Sequence, residues 1–435
     1  MSERSRVTRR AFLKTAAATA AAPYFVPASA LGRDGWKAPS ERITLGFIGI
    51  GNMGGGHLGD VLGNAQWRRQ LQILAVCDVD AKKRANSRKQ VEEKYGADRE
   101  SGTFKGCTEY HEYEKLLERP DIDAVLMAPP DHWHAMIACA AAAAGKDIYC
   151  EKPLSLTVRE AEQMVATTRR YGRVFQTGSQ QRSDWNFRFG CELVRNGRIG
   201  KLQTVHVNIG DPSQEAYLPE EPVREGLDWD RWLGPAPLQP YNSVRCSGDY
   251  GGGWRRIRDY SGGMTTDWGA HHFDIGQWGM GMDGSGPEQI LPPEGDNQMT
   301  FVYANGVRMF RSNKAEGHGG VNGVLFTGTD GKVEVNRGSI KTWPEKLMQE
   351  RIGPDEIHLY ESSNHKQDWI DCIRSRQRPI CDVEIGASTV TVCHLGNIAY
   401  WLKRPIRWDP AKHEIIGDPE AARWLDRPKR APYRL

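Results

Sequence analysis

Apolar runs alternate with amphipathic stretches through the first 180 residues. The spacing predicts helices at 81–95, 110–118 and 132–144, and a further helix over TVREAEQMVATTRRYG that ends at Gly172. Between them lie apolar runs that predict buried strands: RITLGFIG, LQILAVCDVD, DAVLMAPP, GKDIYCEKPLS and RVFQTGSQQ. Strands that alternate with helices are typical of a parallel, doubly wound sheet.

The pattern changes after about residue 182, where strand-like runs follow one another without regular helices. Asn305-Gly306 and Asp330-Gly331 lie between such runs and predict hairpin turns. A helix is predicted over about 385–402, followed by a Pro- and Arg-rich tail at 406–435. We therefore expect a second α+β domain over 182–405, with an open and mostly antiparallel sheet.

The net charge of +3 comes from the first thirty residues of the 435. They carry five cations against Glu3, so the remainder of the chain is close to neutral. A near-neutral body gives no electrostatic argument for nucleic-acid binding.

Residues 1–30 resemble a twin-arginine (Tat) export signal. Arg9-Arg10 precede Phe12-Leu13, an Ala-rich run follows, and Ala28-Ser29-Ala30 fits a cleavage site. The alternative is a disordered basic tail. The apolar run is too short for a stable membrane span, and no cysteine occurs before Cys77 to carry a lipid. The resemblance implies passage through the Tat machinery to the periplasm without a membrane anchor, with 31–41 as a linker.

The chain has nine cysteines, and no two of them form a C-x-x-C pair. The spacing therefore shows neither a zinc site nor a disulfide framework.

A glycine motif follows the first predicted strand and begins a helix. It is Gly49-Ile50-Gly51-Asn52-Met53-Gly54, and Asp78 ends the next strand. Together these form the dinucleotide fingerprint: the glycines admit the pyrophosphate, the helix N-terminus faces its charge, and the acid binds ribose hydroxyls. Residues 42–181 are thus predicted to be a Rossmann domain. Asp78 would repel a 2′-phosphate, and no Arg or Lys follows before Lys82, so NAD is favoured over NADP.

Two further motifs, APPDHWHA and YCEKPLS, lie where predicted parallel strands end. Ligands bind at such ends in open α/β sheets. A lysine beside an acid and a nicotinamide can exchange protons, which makes Lys152 a candidate. Judged from the spacing alone, Lys152 is expected more often to be a surface lysine before a turn than a residue that exchanges protons.

A third motif places Asp267, His271 and Asp274 at spacings of four and three, which share one face of a helix. The cluster fits a proton relay, in which the Asp267 carboxylate orients the His271 imidazole. Alternatives are a metal site and a polar helix end. A metal needs three convergent ligands, and His272, adjacent to His271, points to another face. Asp274 is expected to be structural.

In this order, the fingerprint, APPDHWHA, CEKPLS and GGMTTDWGAHHFD resemble the Gfo/Idh/MocA oxidoreductases over residues 42–405. The resemblance implies hydride transfer between a nicotinamide and a carbinol carbon of a sugar or polyol. It implies that Lys152, Asp267 and His271 are catalytic, and that Pro130, His134 and Glu151 contact the cofactor. The family pattern T-P-N-x-x-H is altered here, since Pro129 replaces Thr and Asp131 replaces Asn, which leaves the roles of Asp131 and His132 open.

Substrate contacts are predicted from residue types that suit sugars. Six of the fourteen tryptophans lie between Trp185 and Trp278, and core packing is the expected role for most. The candidates for the substrate pocket are Arg182, Trp254, Arg258 and His365, with helix capping as the alternative for His365.

Three functions are compatible with these features. The first is an NAD-dependent sugar or polyol oxidoreductase, and the second is a glycoside-cleaving enzyme that uses NAD for transient oxidation and elimination. The third, a non-catalytic sugar-binding protein, is disfavoured by the intact Lys152, Asp267 and His271. An open sheet face usually needs a cover, so a homo-oligomer, a dimer or a tetramer, is expected.

Overall fold

The computed structural model describes residues 41–96, 104–250, 252–295, 298–312 and 323–435. The predicted export signal, 1–30, and the linker up to residue 40 lie outside these ranges. Within the described ranges, no helix is both long and apolar enough to cross a bilayer.

The first domain contains a six-stranded parallel sheet in the order β3-β2-β1-β4-β5-β6. Its strands are β1 (Ile43–Ile48), β2 (Leu71–Cys77), β3 (Thr108–Tyr110), β4 (Ala124–Met127), β5 (Asp147–Cys150) and β6 (Phe175–Thr177). The strand order reverses between β1 and β4, so a crevice opens at the carboxyl ends of these two strands. The predicted Rossmann sheet is confirmed.

Helices connect these strands, and several begin at a side-chain cap. They are α1 (Asn52–Gly63), α2 (Ala65–Gln70), α3 (Ala81–Lys94), α4 (Tyr113–Leu117), α5 (His134–Ala143) and α6 (Val158–Arg170). Asn64, Asp80 and Thr157 accept backbone N–H groups at the starts of α2, α3 and α6. The helix predicted over 110–118 is wrong in its first part, because Thr108–Tyr110 instead pairs with β2 at the sheet edge.

The second domain contains a nine-stranded sheet in the order β13-β12-β11-β7-β10-β9-β8-β14-β15. Its strands are β7 (Leu202–Asn208), β8 (Gln289–Leu291), β9 (Met299–Val302), β10 (Arg308–Ser312), β11 (Gly323–Gly328), β12 (Lys332–Asn336), β13 (Ser339–Trp343), β14 (Ile406–Asp409) and β15 (Glu414–Ile415). Only the β7–β10 pair is parallel among these described strands. The predicted, mostly antiparallel sheet is therefore confirmed.

The helices that follow β6 in the chain either pack on one face of this sheet or contact the first domain. They are α7 (Trp185–Arg195), α8 (Trp229–Leu233), α9 (Met264–Asp267), α10 (Gly269–Met280), α11 (His365–Ser375), α12 (Val383–Leu402) and α13 (Pro419–Arg423). Phe187 of α7, Phe273 of α10 and Leu395 of α12 are fully buried in one cluster with the sheet. Because α12 also packs against α6, it fixes the position of α10 relative to the first domain.

Two features cross the predicted domain boundaries. Trp369 and Ile370 of α11 belong to the same buried cluster as Leu45 and Tyr149, so α11 completes the first domain rather than the second. The predicted tail at 406–435 is not merely a tail, because β14 adds a strand to the nine-stranded sheet. In RPIRWD, Ile406 and Trp408 are buried at the two-residue spacing of a strand. The charged residues beside them obscure this spacing in the sequence.

Candidate active site

A cavity of about 520 Å³ lies between the two domains, at the carboxyl ends of β1, β2, β4 and β5. One wall is formed by the glycine motif, Asp78, Pro130 and Glu151 of the first domain. The opposite wall comes from the second domain, and it includes Trp254, Asp267, His271 and Arg337. The cavity occupies the position where open α/β sheets bind their ligands.

The glycine motif leaves space for a phosphate group. Gly49 has φ +80°, and a Cβ there would lie 2.5 Å from the backbone nitrogen of Pro129. A Cβ on Gly54 would lie 2.0 Å from the Gly49 oxygen, whereas the position above Gly51 is open. No side chain caps α1 at Gly51, so the positive end of the helix dipole faces the cavity. These residues fit the pyrophosphate of a dinucleotide.

Asp78 is fixed to the glycine motif. Its Oδ2 accepts the Ile50 N–H at 2.6 Å, and its Oδ1 accepts the Asp80 N–H at 2.9 Å. The carboxylate lines the cavity and retains lone pairs for ribose hydroxyls. Asp78 therefore has the position that the fingerprint predicts.

Cations that the sequence pattern did not indicate line the cavity near Asp78. They are Lys83, Arg224 and Arg231. The Arg224 guanidinium contacts the Asp80 carboxylate at 2.5 Å, so part of its charge is balanced. Arg224 and Arg231 lie far from Asp78 in the sequence. A motif that covers only neighbouring residues therefore could not reveal them.

Residues 211–250 and 252–260 form a segment that we name the strap. Its apolar centre consists of Trp232, Leu233 and Tyr260. One part bonds to the start of α3, which follows β2, since the Ala81 N–H donates to the Gly226 oxygen at 2.9 Å. Another part bonds to the glycine motif, since Asn52 Nδ2 donates to the Gly248 oxygen at 3.0 Å. The strap therefore covers the cofactor side of the cavity from both ends.

Glu151 lies at the end of β5 with only 4 % of its surface exposed. Its Oε1 lies 2.7 Å from His57 Nε2 of α1, and its Oε2 accepts the Lys152 N–H at 3.2 Å. Burial raises the pKa of Glu151, but the hydrogen bond and charge of His57, together with Lys152, bring the pKa below its usual value. Glu151 lines the cavity and ties α1 to the Lys152 backbone.

His134 is not part of the cavity wall, contrary to the predicted cofactor contact. It is 1 % exposed, with Nδ1 at 2.7 Å from the Pro153 oxygen and Nε2 at 3.0 Å from the Pro129 oxygen. Both ring nitrogens are thus occupied by backbone, and burial lowers the pKa of the ring. His134 positions the two loops that carry Pro130 and Lys152.

Lys152 and Asp267 form an ion pair in the cavity wall. Lys152 Nζ lies 2.8 Å from Asp267 Oδ1 and also donates to the Asp267 backbone oxygen at 3.1 Å. The Arg255 guanidinium lies 3.5 Å from the same Oδ1. The peptide bond between Lys152 and Pro153 is cis.

The predicted pairing of Asp267 with His271 is wrong. The helix is interrupted at Trp268, where the His271 N–H bonds to the Trp268 oxygen instead of the Asp267 oxygen. This shift leaves the Asp267 oxygen available to Lys152. The side chain of Asp267 consequently orients Lys152 rather than the imidazole.

His271 lines the cavity and its Nδ1 is buried without a hydrogen-bond partner in the described structure. Burial, followed by the charges of Lys152 and Arg337, holds the pKa of His271 well below its usual value. The imidazole is therefore neutral near pH 7 and can accept a proton. His272 stacks on Trp268 outside the cavity wall, and the described residues contain no group of three side chains suited to a metal.

Three of the four predicted substrate residues lie elsewhere. Arg182 is 1 % exposed and binds Asp274 and Asp283. Arg258 packs over Trp401 and Trp424, away from the cavity. These side chains were selected by residue type, which does not distinguish a pocket arginine from a buried structural one.

His365 begins α11 and contacts the Thr177 oxygen at 2.8 Å through Nε2 and Ser183 at 2.9 Å through Nδ1. It joins two backbone segments and does not line the cavity. Trp254 does line the cavity, with Arg255 packed over its ring at 4.3 Å. Sequence analysis missed the cavity residues Arg255 and Arg337, which no recognised motif contains.

Two family models match the chain. The model described as "Oxidoreductase family, NAD-binding Rossmann fold" matches residues 43–179, and the one described as "Oxidoreductase family, C-terminal alpha/beta domain" matches residues 212–435. Both are Gfo/Idh/MocA models, and together they span both domains.

Similar proteins include a myo-inositol 2-dehydrogenase from Thermotoga maritima, 28% identical over 239 residues that make up 55% of each chain. Glycosyl hydrolase family 109 protein 2 of Shewanella sp. is 31% identical over 214 residues, 45% of this chain and 44% of that one. The chain thus spans about half the length of the curated relatives it matches.

Among solved structures, the WlbA dehydrogenase from Bordetella pertussis, in complex with NADH and UDP-GlcNAcA, superposes with a TM-score of 0.56 at 16% identity. The superposition covers 85% of this chain and 98% of that chain, and it shows the shared fold. With both family models matched, the chain belongs to the Gfo/Idh/MocA oxidoreductase family.

Proposed function

We propose that the protein is an NAD-dependent oxidoreductase that acts on a CH–OH group of a sugar, a polyol or a sugar derivative. The observation that carries the proposal is one cavity with a dinucleotide-binding motif and Lys152 in the first-domain wall, where Lys152 pairs with Asp267 of the opposite wall, which also holds His271. When bound, NAD supplies a nicotinamide ring that exchanges a hydride with a carbinol carbon. The similarity to a protein named myo-inositol 2-dehydrogenase supports the substrate class.

The side chains divide the proton chemistry among them. The neutral His271 imidazole accepts the proton of the substrate hydroxyl. Lys152 donates a hydrogen bond to the same oxygen and stabilises the negative charge that develops there. Asp267 fixes the Lys152 ammonium through two contacts, at 2.8 and 3.1 Å. In the reducing direction, His271 returns the proton.

A spectroscopic screen tests this function. The protein is incubated with NAD and a panel of sugars and polyols, and NADH absorbance is followed. A member of the panel should give absorbance that depends on the enzyme. Failure of the whole panel, with both bound and added cofactor, would contradict the proposal.

Glycoside cleavage with transient oxidation is the second candidate, supported by the similarity to a protein named glycosyl hydrolase family 109. The same three side chains would serve, because elimination needs a base beside a carbon that oxidation has made acidic. Product analysis separates the two functions. Reducing sugar released from a glycoside without net NADH identifies cleavage, whereas a keto product with equimolar NADH identifies a dehydrogenase.

We also propose that Asp78 selects NAD over NADP. Asp78→Ala should weaken NAD binding about 10- to 100-fold, since a hydrogen bond to a charged group contributes about 1.5–3 kcal/mol. Asp78→Asn keeps an acceptor for the Ile50 N–H but removes the charge, so it should chiefly improve NADP binding. Tryptophan quenching on cofactor-stripped protein measures both affinities. Equal affinity of the wild type for NAD and NADP would refute this assignment. The test is stringent because the cations Lys83, Arg224 and Arg231 line the cavity near Asp78 and would attract a 2′-phosphate.

The predicted Tat signal leads to a proposal about cofactor retention. Free NAD is not expected outside the cytoplasm, whereas the Tat route carries folded proteins. We propose that the protein is periplasmic, that NAD is loaded before export, and that it stays bound while each oxidation is followed by a reduction in the same site. The strap, which bonds to both ends of the cofactor side, supports slow release.

Loosening the strap should speed cofactor release. Gly226 has φ +79° and accepts the Ala81 N–H but does not line the cavity. Gly226→Ala should strain the closed strap by about 1 kcal/mol, which corresponds to about fivefold faster release of NADH in stopped-flow fluorescence. Gly306→Ala, at φ +82° in the β9–β10 turn, is the matched control. Equal release rates in the two variants would argue against the strap as the retaining element.

We further propose that the open face of the second sheet forms a homo-oligomer interface. His206, Phe310 and Leu325 lie side by side there as neighbours in the strand register, and all three are partly exposed. Sedimentation should give a mass of a dimer or a tetramer of the 48.8 kDa chain. A monomer at micromolar concentration would exclude this interface.

A further inference from the structure

Asp131 has an environment that the proposed reaction does not yet explain. It follows β4 at the start of a 3₁₀ turn, Asp131–Trp133, and lines the same cavity as Lys152 and His271. Its surface is 2 % exposed, and its Oδ2 is buried without a hydrogen-bond partner in the described part of the chain. A buried polar atom without a partner costs free energy, and far more when it carries a charge.

The surrounding groups do not compensate an ionised Asp131. Burial has the largest effect on its pKa, and the carboxylate of Asp267 raises it further. The Ser261 hydroxyl, Arg255 and Lys152 act in the opposite direction. Both of these cations already contact Asp267, at 3.5 and 2.8 Å, so they are shared. The result is a pKa of about 7 for Asp131.

The remaining titratable neighbours supply little charge near Asp131. The Cys150 thiol at the end of β5 is fully buried, and its pKa is raised well above the usual value by burial, so it is neutral. Burial lowers the pKa of His132, the next residue, to about 4, so that ring is neutral as well. His271 is neutral for the same reason. The other cations that line the cavity are Arg337, which acts on His271, and Lys83, Arg224 and Arg231, which lie near Asp78.

We propose that Asp131 works as a neutral carboxyl group, and that its proton is donated as a hydrogen bond to an oxygen of the ligand in the cavity. The inference rests on the proposed function for the nature of the ligand, whose acceptor is either a carboxamide oxygen of the cofactor or a hydroxyl oxygen of the substrate. Ionisation removes the donor and places a second negative charge beside Asp267. Asp131 therefore binds the ligand only when its carboxyl group is protonated.

Infrared spectroscopy of the cofactor-free protein tests the protonation state independently of activity. The wild type minus Asp131→Asn difference spectrum should contain the C=O band of a protonated carboxyl group at pH 6, and this band should fall to half its intensity near pH 7 and vanish at higher pH. Asp371→Asn, which changes an exposed carboxyl group far from the cavity, is the control and should leave the band in place. An Asp131 that is fully ionised at pH 6 would overturn the inference, whatever the enzyme catalyses.

Stability provides a second readout. The folded pKa lies above the ordinary value of 3.8, so the folded state binds the proton more tightly than the unfolded state between pH 4 and 7. The melting temperature of the wild type should therefore fall relative to Asp131→Asn as the pH rises through this window, and the gap should stay constant above it. Parallel curves would contradict a raised pKa.

Kinetics then identify the acceptor. Asn is a neutral donor at every pH, so kcat/KM of Asp131→Asn should lack the fall above about pH 7, whereas kcat/KM of the wild type should fall about tenfold per pH unit above this value. A loss of cofactor affinity over this range places the acceptor on the cofactor, and a rise in KM with unchanged cofactor affinity places it on the substrate. Superimposable pH profiles of the two proteins, despite a titrating infrared band, would refute the donor role while leaving the proposed function intact.

Discussion

Replacing Lys152 or His271 with alanine should lower turnover by roughly 10²–10⁴-fold and change cofactor affinity much less. Lys152→Ala removes the donor to the substrate oxygen, and His271→Ala removes the imidazole that lines the cavity together with Lys152 and Asp267. Steady-state kinetics on the true substrate and cofactor titration provide the two measurements.

The pH dependence of the wild-type rate is a further check on the role of His271. His271 accepts the proton as a neutral base with a lowered pKa, so the wild-type rate should show no loss from His271 protonation until well below pH 6.5. His358→Ala and Lys412→Ala change exposed side chains remote from the cavity and serve as controls. Near-normal turnover in either active-site variant would remove that residue from the chemistry.

Replacing Arg182 with alanine should reduce the free energy of unfolding by about 3–5 kcal/mol, because it leaves a buried carboxylate without its partner. Arg182 contacts both oxygens of Asp274 at 2.8 Å, and the two side chains are 1 % and 0 % exposed. Arg404→Ala, which breaks a solvent-screened surface ion pair with Asp418, should reduce stability far less than Arg182→Ala.

Denaturant titration of both variants checks this difference. Asp274→Asn combined with Arg182→Met removes both members of the buried pair and should recover part of the loss. Substrate KM measured on the folded fraction should remain near the wild-type value. A selective rise in KM with unchanged stability would restore Arg182 as a substrate residue.

The parallel sheet could be predicted from the sequence because its strands are buried on both faces and form continuous apolar runs. The glycine motif and Asp78 could also be predicted from the sequence, because both lie in one βαβ unit at a characteristic spacing. Strands β3 and β14 were missed because they are short and carry charged residues, as in TEY and IRWD. Whether such a segment pairs depends on which strand it meets in the folded chain, β2 for β3 and β8 for β14, and the sequence does not show this.

The site was only partly predictable. Lys152, Asp267 and His271 all line one cavity, but the inferred contact between Asp267 and His271 assumed an uninterrupted helix. A one-residue interruption at Trp268 redirects the Asp267 backbone oxygen to Lys152. Partners that are distant in sequence, such as His57 for Glu151 and Arg224 for Asp80, depend on how the strap and α1 pack.

The central claim is that this cavity binds a nicotinamide dinucleotide and uses it on a CH–OH group. The most direct measurement is to purify the mature protein without added cofactor, quantify NAD(H) after denaturation, and mix the native protein with the sugar panel while recording nicotinamide absorbance. The account predicts about one NAD(H) per chain and a single-turnover absorbance change with the true substrate, absent in His271→Ala. No NAD(H) in the purified protein, together with ordinary turnover on added NAD, would contradict retention. No nicotinamide binding under any condition would contradict the central claim itself.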